Sequence, residues 1–581
     1  MKKYILLLLS AALMSSCSDL LDKKNLSAMG SDTVWEDPVL IESYVNNLYA
    51  NYPAWDRNEA DFTDESRNGY RTHTPWYVVK GEWGLEYNPM SYWAYGTARK
   101  TNEILQNIEN VEMDASLKNR LKGETKFIRA TAYFKMVIRY GGVPLLLKPQ
   151  SFDSEDLYPA RASIDEIFDF VTKEYAEAAE LLANYKTHTA TNAGRVTWGA
   201  CKAMEGRAYL FWASPLYNSG DKESKLQKAA DLCEEVIQCG LYDLVKDPRN
   251  IFLEDNSKET IFAIYYKKPE RTHGLDAWVK PLSIANNDAA HWGPVQELVD
   301  AFPTLNGLSI DEDPSFDPQN PYDNRDPRLN AFIVVNGTQY CGRTQYNYYE
   351  LGNVDSSFPT AEATRFKPWE KGGEFQDVGS HNSITGYLCR KPVQEDLPKS
   401  EYTYGYGSET PFIEIRLGEV YLNLAEALNE LGQSEQACEQ LEVIRQRAGL
   451  LNPEVPASQK GSQEALRNFI RNERYIELCF EQKRYWDLRR WKVATTQLGG
   501  KKFHGVHIYM NILPGSEDVI NTDDYKKATI ESQIDMLKKS WRYEYVEVDE
   551  TPYVFQEKMY FMPIPRSDME TNPNLVQNEG W

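Results

Sequence analysis

The stretch Leu417 to Arg447 most constrains the fold, because it reads as two helices folded back on each other at Leu431-Gly432. Ala425, Ala427 and Leu428 lie on the first helix, and Ala437, Leu441 and Ile444 on the second. Small residues where two helices cross, with glycine at the turn, is the logic of a tetratricopeptide hairpin, a unit that buries its apolar face only by stacking on neighbours. A second hairpin is expected from Ala200–Trp212 with Leu226–Ile237, and a third from Leu121–Tyr140 with Ile164–Leu182. The expected fold class is therefore all-α, a helical-repeat scaffold.

Further along, Leu466, Phe469 and Ile470 take i, i+3, i+4 spacing, and Ile476, Cys479 and Phe480 repeat it. Arg474, Glu477, Glu481 and Arg484 lie between and after them at three- and four-residue steps. A catalytic carboxylate pair could be read there, but the spacing is that of an ion-paired, solvated helix face. Trp486 and Trp491 are read as packing residues.

The region 246–410 differs. It carries Pro269, Pro281, Pro294, Pro303, Pro314, Pro318, Pro321 and Pro327 among many Gly, Asn and Asp residues, which predicts long loops with short strands such as Ile261–Tyr266 and Phe332–Val335. Loops hung on a rigid scaffold are where binding usually lives. Asp311, Asp313 and Asp317 leave a structural calcium open, although their spacing does not match an EF-hand. No cofactor is implied.

At the start, Lys2 and Lys3 precede an apolar run from Tyr4 to Met14, then Ser15, Ser16 and Cys17. Basic, apolar and small segments in that order make an export signal. A cysteine directly after the small pair points to a bacterial lipoprotein, with 1–16 removed, Cys17 lipidated, and 17–34 a tether. Two other readings exist. A transmembrane helix needs about 20 apolar residues, more than this run offers. A plain secretory signal with a chance cysteine remains open; Met14 stands where a lipoprotein signal usually has leucine.

The chain has 581 residues and a net charge of -22, so it lacks the basic surface that a nucleic-acid partner requires. Of its eight cysteines none forms a CxxC pair or a zinc-like cluster. Cys201, Cys438 and Cys479 look like small buried hydrophobes, and Cys233 with Cys239 is a candidate disulfide.

Several ordered motifs together resemble one family. They are Phe127-Ile128-Arg129-Ala130 with Tyr140-Gly141-Gly142-Val143-Pro144-Leu145; Gly206-Arg207-Ala208-Tyr209-Leu210 with Ser214-Pro215-Leu216-Tyr217; Arg416-Leu417 with Ala425-Glu426-Ala427; Arg471-Asn472-Glu473-Arg474 with Arg484-Tyr485-Trp486-Asp487-Leu488-Arg489-Arg490-Trp491; and Pro563-Ile564-Pro565 with Asn572-Pro573-Asn574-Leu575. This set resembles the SusD/RagB family of outer-membrane nutrient-binding lipoproteins. The resemblance implies about four tetratricopeptide-like units and a large loop-rich ligand-binding excursion carrying short strands. It divides the body, 35–581, into an N-terminal helical region (35–245, with an aromatic loop at 62–95), the insertion 246–410, and a C-terminal helical region (411–581). It also implies display on the outside of the outer membrane and a SusC-like, TonB-dependent barrel as partner.

Two zones are candidates for the ligand. Between Tyr70 and Tyr95 eight of 26 residues are aromatic, against 12% for the whole chain, and most sit among Gly and Pro, where helix packing does not explain them. A flat ring accepts the C–H face of a sugar while neighbouring polar groups bond its hydroxyls. The first zone offers Asp64, Arg67, Asn68, Tyr70, Arg71, His73, Trp76, Tyr77 and Trp83; the second offers Trp278, Asn286, Asn287, His291 and Trp292. For Trp76, Trp83, Trp278 and Trp292, contact with ligand and pinning of the loops are both open. Tyr92, Trp93 and Tyr95 are expected to pack, and neither His73 nor His291 shows metal spacing.

The leading expectation is a non-enzymatic glycan-binding protein with no catalytic residue. Peptide capture is the alternative within the family. An anchored glycoside hydrolase is the third reading, and it would need two carboxylates about 5 to 9.5 Å apart across a sugar, which no local motif selects.

Overall fold

The computed structural model describes residues 35–581 apart from 152, 155–156, 188–192, 255–256, 282–283, 285–290, 367–382 and 404. Cys17 and Asn287 thus lie outside the described residues, as do Asn286 and the tether.

The helices that build the scaffold are α1 (Pro38–Ala50), α2 (Thr74–Val79), α3 (Tyr95–Asn107), α4 (Ala115–Tyr140), α5 (Ile164–Leu181), α6 (Trp198–Trp212), α7 (Lys222–Gln238), α8 (Leu417–Glu430), α9 (Ser434–Ala448), α10 (Gln463–Glu477) and α11 (Arg484–Arg490). Their starts are written in side chains. Asp114, Ser163, Thr197 and Ser462 each accept a backbone N–H of the first turn, and Ser163 forms a reciprocal capping box with Glu166. The expected hairpins form: α4 packs on α5, α6 on α7, and α8 on α9. Gly432 at the α8–α9 turn has φ +81°, a conformation that glycine adopts without strain. On α4, a Cβ at Gly123 would lie 2.7 Å from Leu182 Cγ, so only glycine lets α5 come this close.

α7 packs in turn against α8, which joins the N-terminal hairpins to the C-terminal ones across the insertion. Strand Thr260–Ile264 pairs antiparallel with Phe412–Arg416, and Ile333–Val334 with Leu388–Cys389, so both expected short strands are present.

The longest strands are elsewhere. His504–Ile512 and Lys539–Glu547, in a region expected to be helical, form an antiparallel pair, and Glu350–Val354 adds to it in parallel. Val506, Ile508, Met510 and Ile512 are buried, with partly exposed residues between them. That is the period-two signature of a half-buried strand.

The polar face of α10 corrects a second expectation. It is not a solvated ladder within one helix. Glu477 and Glu481 are 0% and 2% exposed, and their partners come from other elements. Arg416 reaches Glu477 at 2.9 Å and Glu481 at 2.7 Å; Lys391 reaches Glu481 at 2.6 Å; and Arg328 reaches Glu477 at 2.9 Å. Arg474 pairs with Asp487 and Arg484 with Asp64. Burial alone would raise the Glu481 carboxyl, but Arg416 and Lys391 outweigh it and hold it at about 2.

The candidate disulfide does not form: Cys233 and Cys239 are both free thiols. Cys233 is buried on α7, with its Sγ facing Gly206 of α6. Trp486 and Trp491 are buried, as expected, and donate to Glu59 and Glu426. Among the described residues no group of three or more His, Cys, Asp or Glu side chains is placed to hold a metal ion. Asp313 instead accepts from Thr304, Asn306 and Ser315 inside its own loop. No described helix is long and apolar enough to cross a membrane.

Candidate functional site

The two aromatic zones, some two hundred residues apart in sequence, meet in space. Ser66 pairs with Pro294 and Arg67 with Gly293 in a short antiparallel ladder. The Val295 N–H donates to the Glu65 carbonyl at 3.1 Å, and the His291 N–H donates to the Trp278 carbonyl at 2.8 Å. One ladder therefore ties the loop after α1 to the segment carrying Trp278 and His291.

Side chains complete the join. Asn68 accepts the Tyr70 N–H at 2.8 Å through its carbonyl oxygen, which fixes the orientation of the amide. Its NH2 group donates to Asp61 at 3.3 Å and to Nδ1 of His291. Nδ1 thus accepts, which places the proton of a neutral ring on Nε2. Asp61 also accepts from Ser66 at 2.6 Å, and burial pushes its carboxyl up to about 6. The ring of His73 lies 5.3 Å from that of His291 and 5.0 Å from that of Tyr70.

The candidate residues divide by what already holds them. Asp64 takes a two-pronged contact from Arg484 at 2.8 and 2.7 Å. Arg67 is 1% exposed and bonds Asp549, the carbonyls of Thr63 and Ser66, and the face of Phe503. Both residues are braces for the loop, with their hydrogen-bonding capacity spent inside the protein. Trp76 is buried and donates to the Asn68 carbonyl, and Trp83 is buried against Trp581 at 5.0 Å between ring centres. Trp292 is 1% exposed, stacks on Phe480 and donates to the Arg57 carbonyl at 2.6 Å. Its φ of +57° is unusual for an aromatic residue. The turn sends Trp292 into the core while its neighbour His291 faces Asn68. For these three tryptophans the structure favours pinning of the loops, because buried rings present no face to a sugar.

Tyr70 and His73 are half-buried, Trp278 is half-buried, and Tyr77 is 41% exposed. Tyr87, at 43% exposed, stands edge-on to Tyr77 with centres 6.1 Å apart and donates to Thr74 at 3.1 Å. Arg71 lies over the Trp76 ring and pairs with Glu550 at 3.2 Å. Tyr70, His73, Tyr77, Tyr87 and Trp278 are thus the partly exposed rings of the two segments, a candidate rim, with Arg71 and Glu550 a charged pair beside Trp76. Glu550 lies outside both sequence zones, and no local pattern pointed to it.

The Trp278 segment also borders a cavity of about 520 Å³ lined by Lys280, Ile284, Glu395 and Tyr402, within the size range of small-ligand pockets. Its polar groups are largely spent. Lys280 donates to the carbonyls of Gln394 and Leu397, Tyr402 donates to that of Ile284, and Glu395 is held by Arg249 and Arg390.

With this geometry in view, comparison with known proteins is informative. The model of the SusD family matches residues 258–581. The chain belongs to the SusD family. A second model, described as starch-binding associating with outer membrane, matches residues 19–210. A SusD-like protein P2 of Formosa agariphila is 25% identical over 561 residues, covering 90% of this chain and 98% of that protein. A SusD-like protein of Bacteroides fragilis superposes with a TM-score of 0.73 at 26% identity, covering 96% of this chain and all of that one. A SusD-like carbohydrate binding protein of the same species gives 0.72 at 23% identity over 94% of this chain and all of its own length, which supports the shared fold. The helix-rich body with small sheets is thus the SusD-like arrangement expected from the motifs.

Proposed function

We propose that this SusD-family chain is a non-enzymatic surface protein that captures an oligosaccharide and delivers it to a SusC-like, TonB-dependent barrel. One observation carries the reading: Asn68 and His291 lock two separate aromatic segments together, and those segments hold the partly exposed rings of Tyr70, His73, Tyr77, Tyr87 and Trp278. Exposed rings beside charged groups suit an amphipathic ligand such as a sugar chain. The resemblance in fold to a carbohydrate binding relative supports the same choice.

Lipidation of Cys17, followed by the polar stretch to residue 34, would hold the body at the outer membrane facing outward, in keeping with the description of the second matching family model. A single acyl chain anchors weakly, so a stable attachment needs more than one.

The test is a glycan array probed with the purified mature chain, run beside a library of peptide digests. Selective retention of one class of glycan supports the reading. Binding of peptides with no glycan retained would replace it with peptide capture, and release of reducing sugar from a bound glycan would contradict the non-enzymatic assignment.

A further inference from the structure

A second pocket shares no residue with the aromatic rim. It lies among α6, α7, α8 and α10 and is lined by Leu210, Pro215, Leu226, Ile470, Arg471 and Trp491, with cations and carboxylates around them. Most of that charge is already matched. Glu430 pairs with Lys222 at 2.7 Å and with Arg467, while Glu426 takes Arg490 and the Trp491 N–H at 2.8 Å.

Arg471 is different. Its guanidinium lies 4.9 Å from the centre of the Trp491 ring, and among the described residues it makes no hydrogen bond or ion pair. Its Nε is buried without an acceptor. Desolvation and the neighbouring Arg490 and Arg467 weigh against its charge more than Glu426 and Glu430, each engaged by other cations, favour it. The pocket lining therefore carries one cation in excess of its carboxylates, held over an aromatic ring beside apolar walls.

The missing complement follows from the shape. The planar guanidinium fork matches a planar, two-oxygen acceptor. The cavity measures about 40 Å³; since a water needs roughly 10–15 Å³ by the same kind of measure, it has room for a carboxylate head group. Leu210, Pro215 and Leu226 would cover a short carbon chain behind that head group. We propose that this pocket binds a carboxylate borne on a short apolar chain, either a free acid or the C-terminal end of a peptide.

Isothermal titration of the full mature chain tests this with N-acetyl-leucine, its amide N-acetyl-leucinamide, and the acetylated tripeptide Gly-Gly-Leu with a free C-terminus. At least one acid should bind, the amide at least tenfold more weakly, and Arg471→Gln should lower acid affinity at least tenfold. Tighter binding of the tripeptide assigns the pocket to peptide ends, and equal or weaker binding assigns it to free acids. Pro215 is exposed at the rim, so Pro215→Glu should leave the fold intact and repel the acid by a similar factor. Failure of both acids to bind, equal binding of acid and amide, or unchanged affinity in Arg471→Gln overturns the proposal. Should Arg471→Gln not fold, unchanged affinity in Pro215→Glu does so.

Discussion

Asn68 donates to Nδ1 of His291 across 223 residues of sequence, and the same amide group holds Asp61. Replacing it with leucine leaves a buried carboxylate and a buried ring nitrogen each short of a donor, at about 1–3 kcal/mol. Urea denaturation of Asn68→Leu should show a loss in that range, and hydrogen exchange should quicken at residues 291–295. Unchanged exchange there would mean that the backbone ladder alone joins the two zones.

Exposed and buried rings should behave oppositely. Tyr77→Ala and Tyr87→Ala remove half-solvated rings and should change stability by no more than about 0.5 kcal/mol, while weakening glycan binding several-fold. Trp76→Ala and Trp292→Ala empty well-packed sites and should cost about 3–5 kcal/mol. Calorimetric melting together with a binding titration on the four variants separates the two roles.

This division explains what the sequence made legible. Helix spacing and small residues at crossings were enough to place the three hairpins, because both signals are local. Aromatic density marked two zones that meet in space, but it could not tell buried Trp76 from exposed Tyr77, since successive helix residues point about 100° apart and only packing decides which faces in. Nor could spacing reveal that Arg67 would reach Asp549 or that Glu477 would meet Arg416, because those partners are set by tertiary packing. The strand at His504–Ile512 was readable from its alternation of Val506, Ile508 and Met510 with His507 and Tyr509, a period that helical expectation for the region obscured.

The buried ionic cluster predicts an acid limb to stability. Glu481 sits at about 2 in the folded chain against an ordinary 4.5. The unfolded chain therefore binds more protons between those values, and stability rises with pH through that window. The contribution is complete above about 4.5 and fades as pH falls towards 2. Arg416→Gln leaves buried carboxylates unmatched and should cost about 3–5 kcal/mol near neutral pH, with a flatter acid limb. Denaturant midpoints measured from pH 2.5 to 7 check both statements.

Free thiols at Cys233 and Cys239 predict that alkylation in denaturant without reductant modifies both. A mass two daltons low with both residues protected would show the disulfide that the structure lacks.

The most direct measurement is a crystal structure of the mature chain with the oligosaccharide that the array selects. The account predicts sugar density across the rim formed by Tyr70, His73, Tyr77, Tyr87 and Trp278, touching both the loop after α1 and the segment tied to it by His291. Ligand density elsewhere on the chain, with that rim empty, would contradict it.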